Sequence, residues 1–278
     1  MEKLKTFFKS KTWRIIIGTI KLLISIPIFI IIILIIYVHF FSPLKTQFDF
    51  ASDPQGSYYS AFMLDLLIKN NPNNEKILWE SSVAYNKRGE NKEGMRRLYK
   101  VIEMNPRDYL GYSGWLKQLR FKDYENALKD FHRLDKLSKI TEYPWGENIY
   151  YLMGLSHQGL GNQDSAIYYY DKFIASEKKP ENIYPRMYTF RGKVEADRNN
   201  YEKALDFYNK TISLDKNIAE AYYYKAETYQ ALKQNDSAKI NYNKSLDLIN
   251  KGYKDQDPYD EKFLEIYTLE IEDKLNNL

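Results

Sequence analysis

The 278-residue sequence contains no cysteine, and that absence removes a group of chemistries at once. Disulfides, thiolate metal centres, a cysteine nucleophile and a lipidated N-terminal cysteine are all excluded. Histidine is nearly as scarce. His39, His132 and His157 stand on separate predicted elements, without the paired spacing of a helical zinc site, so no metal is expected. Glycine-rich phosphate-binding motifs are also missing, so no cofactor is expected. Gly154-Leu-Ser-His-Gln-Gly159 sets a serine beside a histidine, but within a helical pattern, where no nucleophile elbow forms. Asp255, Asp257, Asp260 and Glu261 cluster around Pro258 without the glycine and spacing of a calcium loop. They read as the solvated first turn of a helix, whose dipole favours carboxylates. Catalysis is not expected.

Charge is unevenly placed. The formal net charge is +4, yet residues 1–21 alone hold six basic side chains against Glu2. The remainder is near neutral and has no basic stripe, which argues against nucleic acid as a partner. The basic cluster precedes Leu22–Phe41, a run of 20 residues with no ionised side chain. Such a run spans roughly 30 Å as a helix, the thickness of a bilayer core. Ile15 to Ile20 extend it, with Lys21 snorkelling toward headgroups. Bulky Tyr37 to Phe41 at its end fit an uncleaved signal anchor better than a cleaved signal peptide, which needs small residues there. Positive charge before the span places the N-terminus in the cytoplasm and the rest on the other, periplasmic or non-cytoplasmic, face. The expected layout is a basic tail at 1–14, a transmembrane anchor at 15–41 and a tether at 42–55.

Beyond the tether the apolar residues follow helical periodicity, and similar segments recur. Asp123-Tyr-Glu-Asn-Ala-Leu128, Gly161-Asn-Gln-Asp-Ser-Ala166, Asn200-Tyr-Glu-Lys-Ala-Leu205 and Asn235-Asp-Ser-Ala238 each open a predicted helix. Gly94, Ala127, Ala166, Ala204 and Ala238 are the small residues of the series, at successive steps of 33, 39, 38 and 34 residues. Four residues further on stand Leu98, Phe131, Tyr170, Tyr208 and Tyr242, one turn along the same face. Small against large is how closely crossing helices interdigitate. Preceding helices supply their own small residue at Ser82, Gly154, Gly192 and Ala226; in the second unit Trp115 falls at that place unless a residue is inserted. The two longest steps put extra residues into loops near Ser138–Glu147 and Ser176–Ile183.

This pattern resembles the tetratricopeptide repeat (TPR), a helix–turn–helix module of about 34 residues that stacks into a superhelical solenoid of antiparallel helix pairs. Units are expected at about 75–108, 109–142, 146–180, 184–217 and 218–250, with a cap helix at 56–74. A C-terminal capping helix is expected within 251–278, starting at Pro258.

The resemblance implies a function. First helices of TPR pairs line a concave groove that receives a peptide or a partner helix. Carried over by register, the groove takes Trp79, Val83 and Asn86; then Tyr151, Leu155 and Gln158; then Arg186, Thr189 and Lys193; then Tyr223, Glu227 and Gln230. Val83 stands where chaperone adaptors of this family carry a clamp residue, so a chaperone tail is disfavoured. Trp145 in the first long loop is either an exposed anchor or a cover folded over the stack. Runs such as Tyr168–Tyr170 and Tyr222–Tyr224 wrap around a helix, so at least one member of each should reach a surface. The expected protein is a non-catalytic, membrane-anchored scaffold for a protein or peptide partner. A structural subunit that self-associates, or an accessory subunit of an envelope enzyme or secretion machinery, are the alternatives. The sequence names no partner.

Overall fold

The computed structural model describes residues 11–177, 179, 182–258 and 260–278, and all regular structure among them is helical. The basic tail at residues 1–10 lies outside the described residues. The chain divides into two compact units, residues 1–101 and 102–278.

In the first unit, α1 runs from Lys11–Phe40 and contains the apolar stretch. Ile15–Phe40 has mean hydropathy 2.9 over its best window and is long and apolar enough to cross a membrane. Helix α2, Leu44–Ser52, corrects the expected tether at 42–55. Phe48 and Ala51 give the reason: one turn apart, they pack with Met63, Leu64 and Leu67 of α3 (Tyr58–Asn70). Pro43 and Pro54 bound this helix and suggested a linker in the sequence. Helix α3 lies within 56–74, where a cap helix is expected, and starts with the Ser57 hydroxyl accepting from the Ser60 N–H at 3.0 Å. Helices α4 (Glu75–Lys87) and α5 (Asn91–Met104) form the first pair.

The second unit holds the remaining pairs: α6 (Pro106–Leu119) with α7 (Tyr124–Leu137), α8 (Ile149–Gly159) with α9 (Gln163–Ser176), α10 (Pro185–Asp197) with α11 (Tyr201–Leu214), and α12 (Ala219–Ala231) with α13 (Asn235–Asn250). Their starts are written locally. Asp123 and Asn148 side chains accept from N–H groups of the first turn, and Pro106 and Pro185 occupy first helical positions, where a missing N–H costs nothing.

The turn inside each pair repeats too. Gly89, Asn199 and Lys233 adopt left-handed φ of 81°, 62° and 58°, and Gly161 adopts 73°. The next N–H then closes on a carbonyl five residues back: Glu90 on Tyr85, Asn162 on His157, Asn200 on Glu195 and Gln234 on Tyr229. The pair α6–α7 differs. Lys122 takes the left-handed place with φ 52°, and the Asp123 N–H reaches back six residues to the Lys117 carbonyl at 2.9 Å. One residue is inserted in that turn. The small contact residue of α6 is therefore Gly114, whose absent Cβ would lie 2.5 Å from the Phe131 ring, and Trp115 is released from that position.

The size ruler is the core. Ala127, Ala166, Ala204 and Ala238 are fully buried, as are Phe131, Tyr170, Tyr208 and Tyr242. Across each interface the ring presses on a residue without bulk: a Cβ on Gly154 would lie 2.6 Å from Tyr170, and one on Gly192 would lie 2.8 Å from Tyr208. Gly94 of α5 meets Asn86 in the same way within the first unit.

Residues 258–275 do not form the single helix read from the sequence. Helix α14 spans only Thr268–Asn276; its Ile271 is buried in a cluster with Tyr223, Tyr242 and Leu248. The described residues between 253 and 267 run as an irregular loop in which Leu264 takes φ 55°. Tertiary contacts described below override the local helical pattern there.

Replacing Gly154 by Ala should lower stability by about 1–3 kcal/mol through overpacking, although alanine is the better helix former by about 1 kcal/mol. A urea unfolding midpoint equal to or above that of the parent chain would contradict the close crossing.

Candidate functional site

The first helices of the second unit, α6, α8, α10 and α12, share a face, and the loop between α13 and α14 lies on it. The loop leaves α13 beside α10 and α12. There the Asp255 N–H donates to the Glu220 carboxylate at 2.7 Å, and Arg186 stands 3.7 Å from the Asp255 carboxylate. It then reaches the end of α6. Arg120 donates through Nε and Nη2 to both oxygens of Asp260, at 2.7 and 3.1 Å, a forked pair with both side chains mostly shielded. Lys122 donates to the Glu261 carbonyl.

On its return the loop places the Phe263 ring edge-to-face against Tyr124 and Phe190, with centroids 6.1 and 5.9 Å apart. The Leu264 carbonyl then accepts from the Tyr224 hydroxyl at 2.9 Å, and Ile266 is fully buried. Lys254 and Glu265, on the outgoing and returning limbs, pair at 2.6 Å and close the base. A cavity of about 80 Å³ remains beside the loop, lined by Trp115, Tyr151, Leu155 and Phe190 from the helices and by Asp255 and Phe263 from the loop. Glu147 borders the same cavity; burial and the neighbouring Asp255 raise its pKa, against the pull of Lys262 and Arg186.

The groove residues carried over by register separate into two groups. Asn86, Gln158 and Gln230 all stand four residues after the small residue of their helix and take part in packing. Asn86 is buried against Gly94. Gln158 accepts from the Tyr170 hydroxyl at 2.6 Å and donates to the Phe190 carbonyl at 3.3 Å, which ties one pair to the next. Gln230 accepts from the Tyr242 hydroxyl at 3.0 Å. Gln118, at the matching place of α6, donates to the Leu152 carbonyl and the Ser156 hydroxyl at 2.6 and 2.7 Å. Tyr223 is buried and donates to Glu270 of α14. Val83 and Thr189 are also buried, and Glu227 pairs with Lys274.

The second group stays near a surface. Tyr151 is largely buried among Phe173, Tyr184 and Phe190, yet it lines the cavity with Leu155. Arg186 and Lys193 are half-buried, Arg186 next to the loop and Lys193 paired with Asp197. Trp79 is half-buried in the first unit. Trp145 is 52% exposed and stacks on Tyr112 and Trp115 at 4.9 and 5.6 Å. It is thus anchored on α6 while remaining about half exposed. The buried Pro144 against Gly111 holds that loop down. Of the tyrosine runs, Tyr168 is exposed and Tyr222 half-buried.

Reading by register did not find Arg120, Lys122, Tyr124 or Phe190. For Arg120, Lys122 and Tyr124 the signal was the one-residue insertion before Asp123, which lies beside all three; Phe190, in α10, had no such signal. Nor did the sequence bring the histidines together. His132 of α7 and His157 of α8 both face Tyr169, His157 stacked at 5.2 Å and His132 edge-on at 6.0 Å.

Two measurements follow from these contacts. Tyr170→Phe should cost about 1 kcal/mol, the usual net value of a side-chain hydrogen bond. Tyr208→Phe should cost less, because Ala196 stands where α8 and α12 have the glutamine acceptors Gln158 and Gln230. Equal losses in chemical unfolding would contradict the glutamine link. The second concerns pH. Burial holds both imidazoles below their usual pKa of 6.5; His132 further depresses His157, while Asp135 partly opposes the effect on His132 and Lys136 and Lys172 add to it. A depressed imidazole contributes stability above the unfolded pKa, lost as pH falls through about 6.5 toward the folded value. The thermal midpoint should drop between about pH 7.5 and 5.5, and His157→Gln should flatten that drop. A parallel drop in both proteins would exclude the imidazole.

Three segments match the family described as tetratricopeptide repeat: residues 149–178, 185–218 and 219–251. Among curated proteins none matches the sequence. Solved structures resemble it in fold. PilW, described as a widely conserved type IV pilus biogenesis factor, aligns with TM-score 0.55 at 14% identity, over 66% of this chain and 81% of that one. The C-terminal part of a TPR repeat-containing protein from Cytophaga hutchinsonii aligns with TM-score 0.55 at 17% identity, over 76% and 80%. A MamA fragment from Desulfovibrio magneticus RS-1 aligns with TM-score 0.54 at 18% identity, over 64% and 97%. At such identities the likeness shows the fold alone. With its repeating turns, its size ruler and these matches, the chain is an all-helical protein carrying tetratricopeptide repeats, preceded by one helix apolar enough to span a membrane.

Proposed function

We propose that the chain is a non-catalytic scaffold, held to a membrane by α1, that binds a protein or peptide partner on the first-helix face of its second unit. One observation carries the reading: that face already holds polypeptide, since Arg120, Lys122, Tyr124, Phe190 and Tyr224 all engage the loop at 254–266. A surface that grips a loop through a forked ion pair and aromatic contacts has the chemistry of a peptide site. Of the anticipated residues, Tyr151 and Arg186 meet the loop or its cavity, while Trp145 and Lys193 stand one side chain away, against Trp115 and Tyr224; Trp79 is the corresponding candidate in the first unit.

The basic residues before Ile15 favour a cytoplasmic N-terminus, which would set the repeats on the periplasmic or other non-cytoplasmic side. Confinement to the membrane raises the effective concentration of scaffold near a membrane-bound partner, so a weak site suffices. PilW is described as a pilus biogenesis factor, which fits assembly at an envelope by analogy of fold alone.

A photo-crosslinking amino acid placed at Trp145 should capture a second protein in intact membranes, whereas the same group at exposed Tyr168, on a second helix, should not. Adducts at Tyr168 alone, or only between copies of this chain, would replace the scaffold reading with that of a self-associating structural subunit. A reporter fused after Leu278 should be active on the non-cytoplasmic side; activity confined to the cytoplasm would reverse the topology.

A further inference from the structure

We infer that the loop at residues 254–266 is a built-in occupant of this face, and that the outside partner displaces it with an acidic side chain three residues ahead of an aromatic ring. The inference rests on the scaffold reading above and deepens it by naming the recognition chemistry.

Asp260 and Phe263 define that chemistry. The carboxylate takes the guanidinium fork of Arg120, a geometry that selects planar anions over neutral groups. Three residues on, the Phe263 ring enters the aromatic walls of Tyr124 and Phe190. The helix side adds Lys122 and Arg186, which face the Glu261 carbonyl and the Asp255 carboxylate. Cations on the helices meet acids on the loop, so the surface is charge-complementary to an acidic segment.

The loop is fitted to be moved. Among described residues 253–265 no apolar side chain is fully buried, and the shielded side chains are the ion-paired Asp260 and Glu265, whereas Ile266 and Ile271 behind them are fully buried. The cavity of about 80 Å³ between Phe263 and Trp115, Tyr151 and Leu155 shows that the loop does not fill its own site. A bulkier ligand would gain contact there that the loop forgoes. The base has fastenings of its own: Lys254 to Glu265 at 2.6 Å, and Tyr224 to the Leu264 carbonyl at 2.9 Å. The tip can therefore leave α6, α8 and α10 while α14 stays docked on α13. Tethering gives the loop an effective concentration on the order of millimolar, so it holds off weak ligands and yields to strong or membrane-concentrated ones.

The test uses the full chain in detergent and a fluorescein-labelled peptide with the sequence of residues 255–266, followed by anisotropy. The Asp260→Ala/Phe263→Ala chain should bind this peptide at least about tenfold more tightly than the parent, because its own loop no longer competes. Adding Arg120→Glu should reverse the gain, and a peptide with alanine at both anchor places should not bind. Equal affinity for parent and released chains, or binding indifferent to Arg120, would overturn the inference. Should circular dichroism show the double variant unfolded, Asp260→Asn alone must tighten binding at least about threefold, and no change there overturns it equally. The two readings fail separately. Loss of peptide binding with crosslinks at Trp145 retained removes the displaceable loop and leaves the scaffold.

Discussion

Everything in the repeats depends on how closely two antiparallel helices can cross. The crossing is set by a residue with no side chain, or only a methyl, facing a large ring: Gly154 under Tyr170, Gly192 under Tyr208 and Gly114 under Phe131. Because interiors are close-packed, this one contact also fixes the rotation of both helices about their axes. Rotation in turn decides which residues meet the next pair and which remain on the first-helix face. The tyrosines add a polar device to the packing. A ring fills the crossing, and its hydroxyl reaches a glutamine one turn along the neighbouring helix, as Tyr170 does with Gln158 and Tyr242 with Gln230. A phenylalanine in the same place would leave that glutamine in need of another donor.

One inserted residue changes the chemistry of the whole surface. In α6–α7 the turn closes over six residues instead of five, so Gly114 takes the crossing and Trp115 is turned aside. Trp115 then stacks with Trp145 and borders the cavity. Arg120 and Lys122, near the enlarged turn, become the cationic end of the face, and Tyr124 becomes one wall for Phe263. Specificity here arises where the repeat departs from its own rule.

The repeats were legible in the sequence because helical period, small residues and turn residues all report the same local geometry. Ala127, Ala166, Ala204 and Ala238 are buried where their spacing put them, and the two long steps correspond to the wide intervals between α7 and α8 and between α9 and α10. The face was less legible. Helical period assigns a residue to one side of a helix, but it does not tell groove from crossing for residues a single turn apart. Asn86, Gln158 and Gln230, read as groove residues, take part in the crossing as well. The segment after Pro258 failed differently. Its amphipathic pattern supports a helix, yet Tyr224, Phe190 and Arg120 are distant in sequence and hold it as a loop. The α2 segment erred in the opposite sense, since two prolines outweighed the apolar stripe of Phe48 and Ala51.

A loop that covers a binding face has to satisfy two opposing demands. It must be ordered enough to exclude weak ligands, and poor enough in buried contact to let a stronger one in. The division of labour along residues 254–276 meets both. Ile266 and Ile271 bury their side chains and fasten α14 as the cap of the last pair, which protects a helical end that would otherwise expose apolar surface. The tip meets the helices through the forked ion pair of Asp260, the Glu261 carbonyl and the Phe263 ring. Such contacts are directional and exchangeable, so a partner that reproduces them loses little and gains the unfilled space beside Phe263. Had the tip carried the buried isoleucines and the base the ion pair, displacement would have uncapped the stack. The order found here separates the stability of the fold from the occupancy of its face.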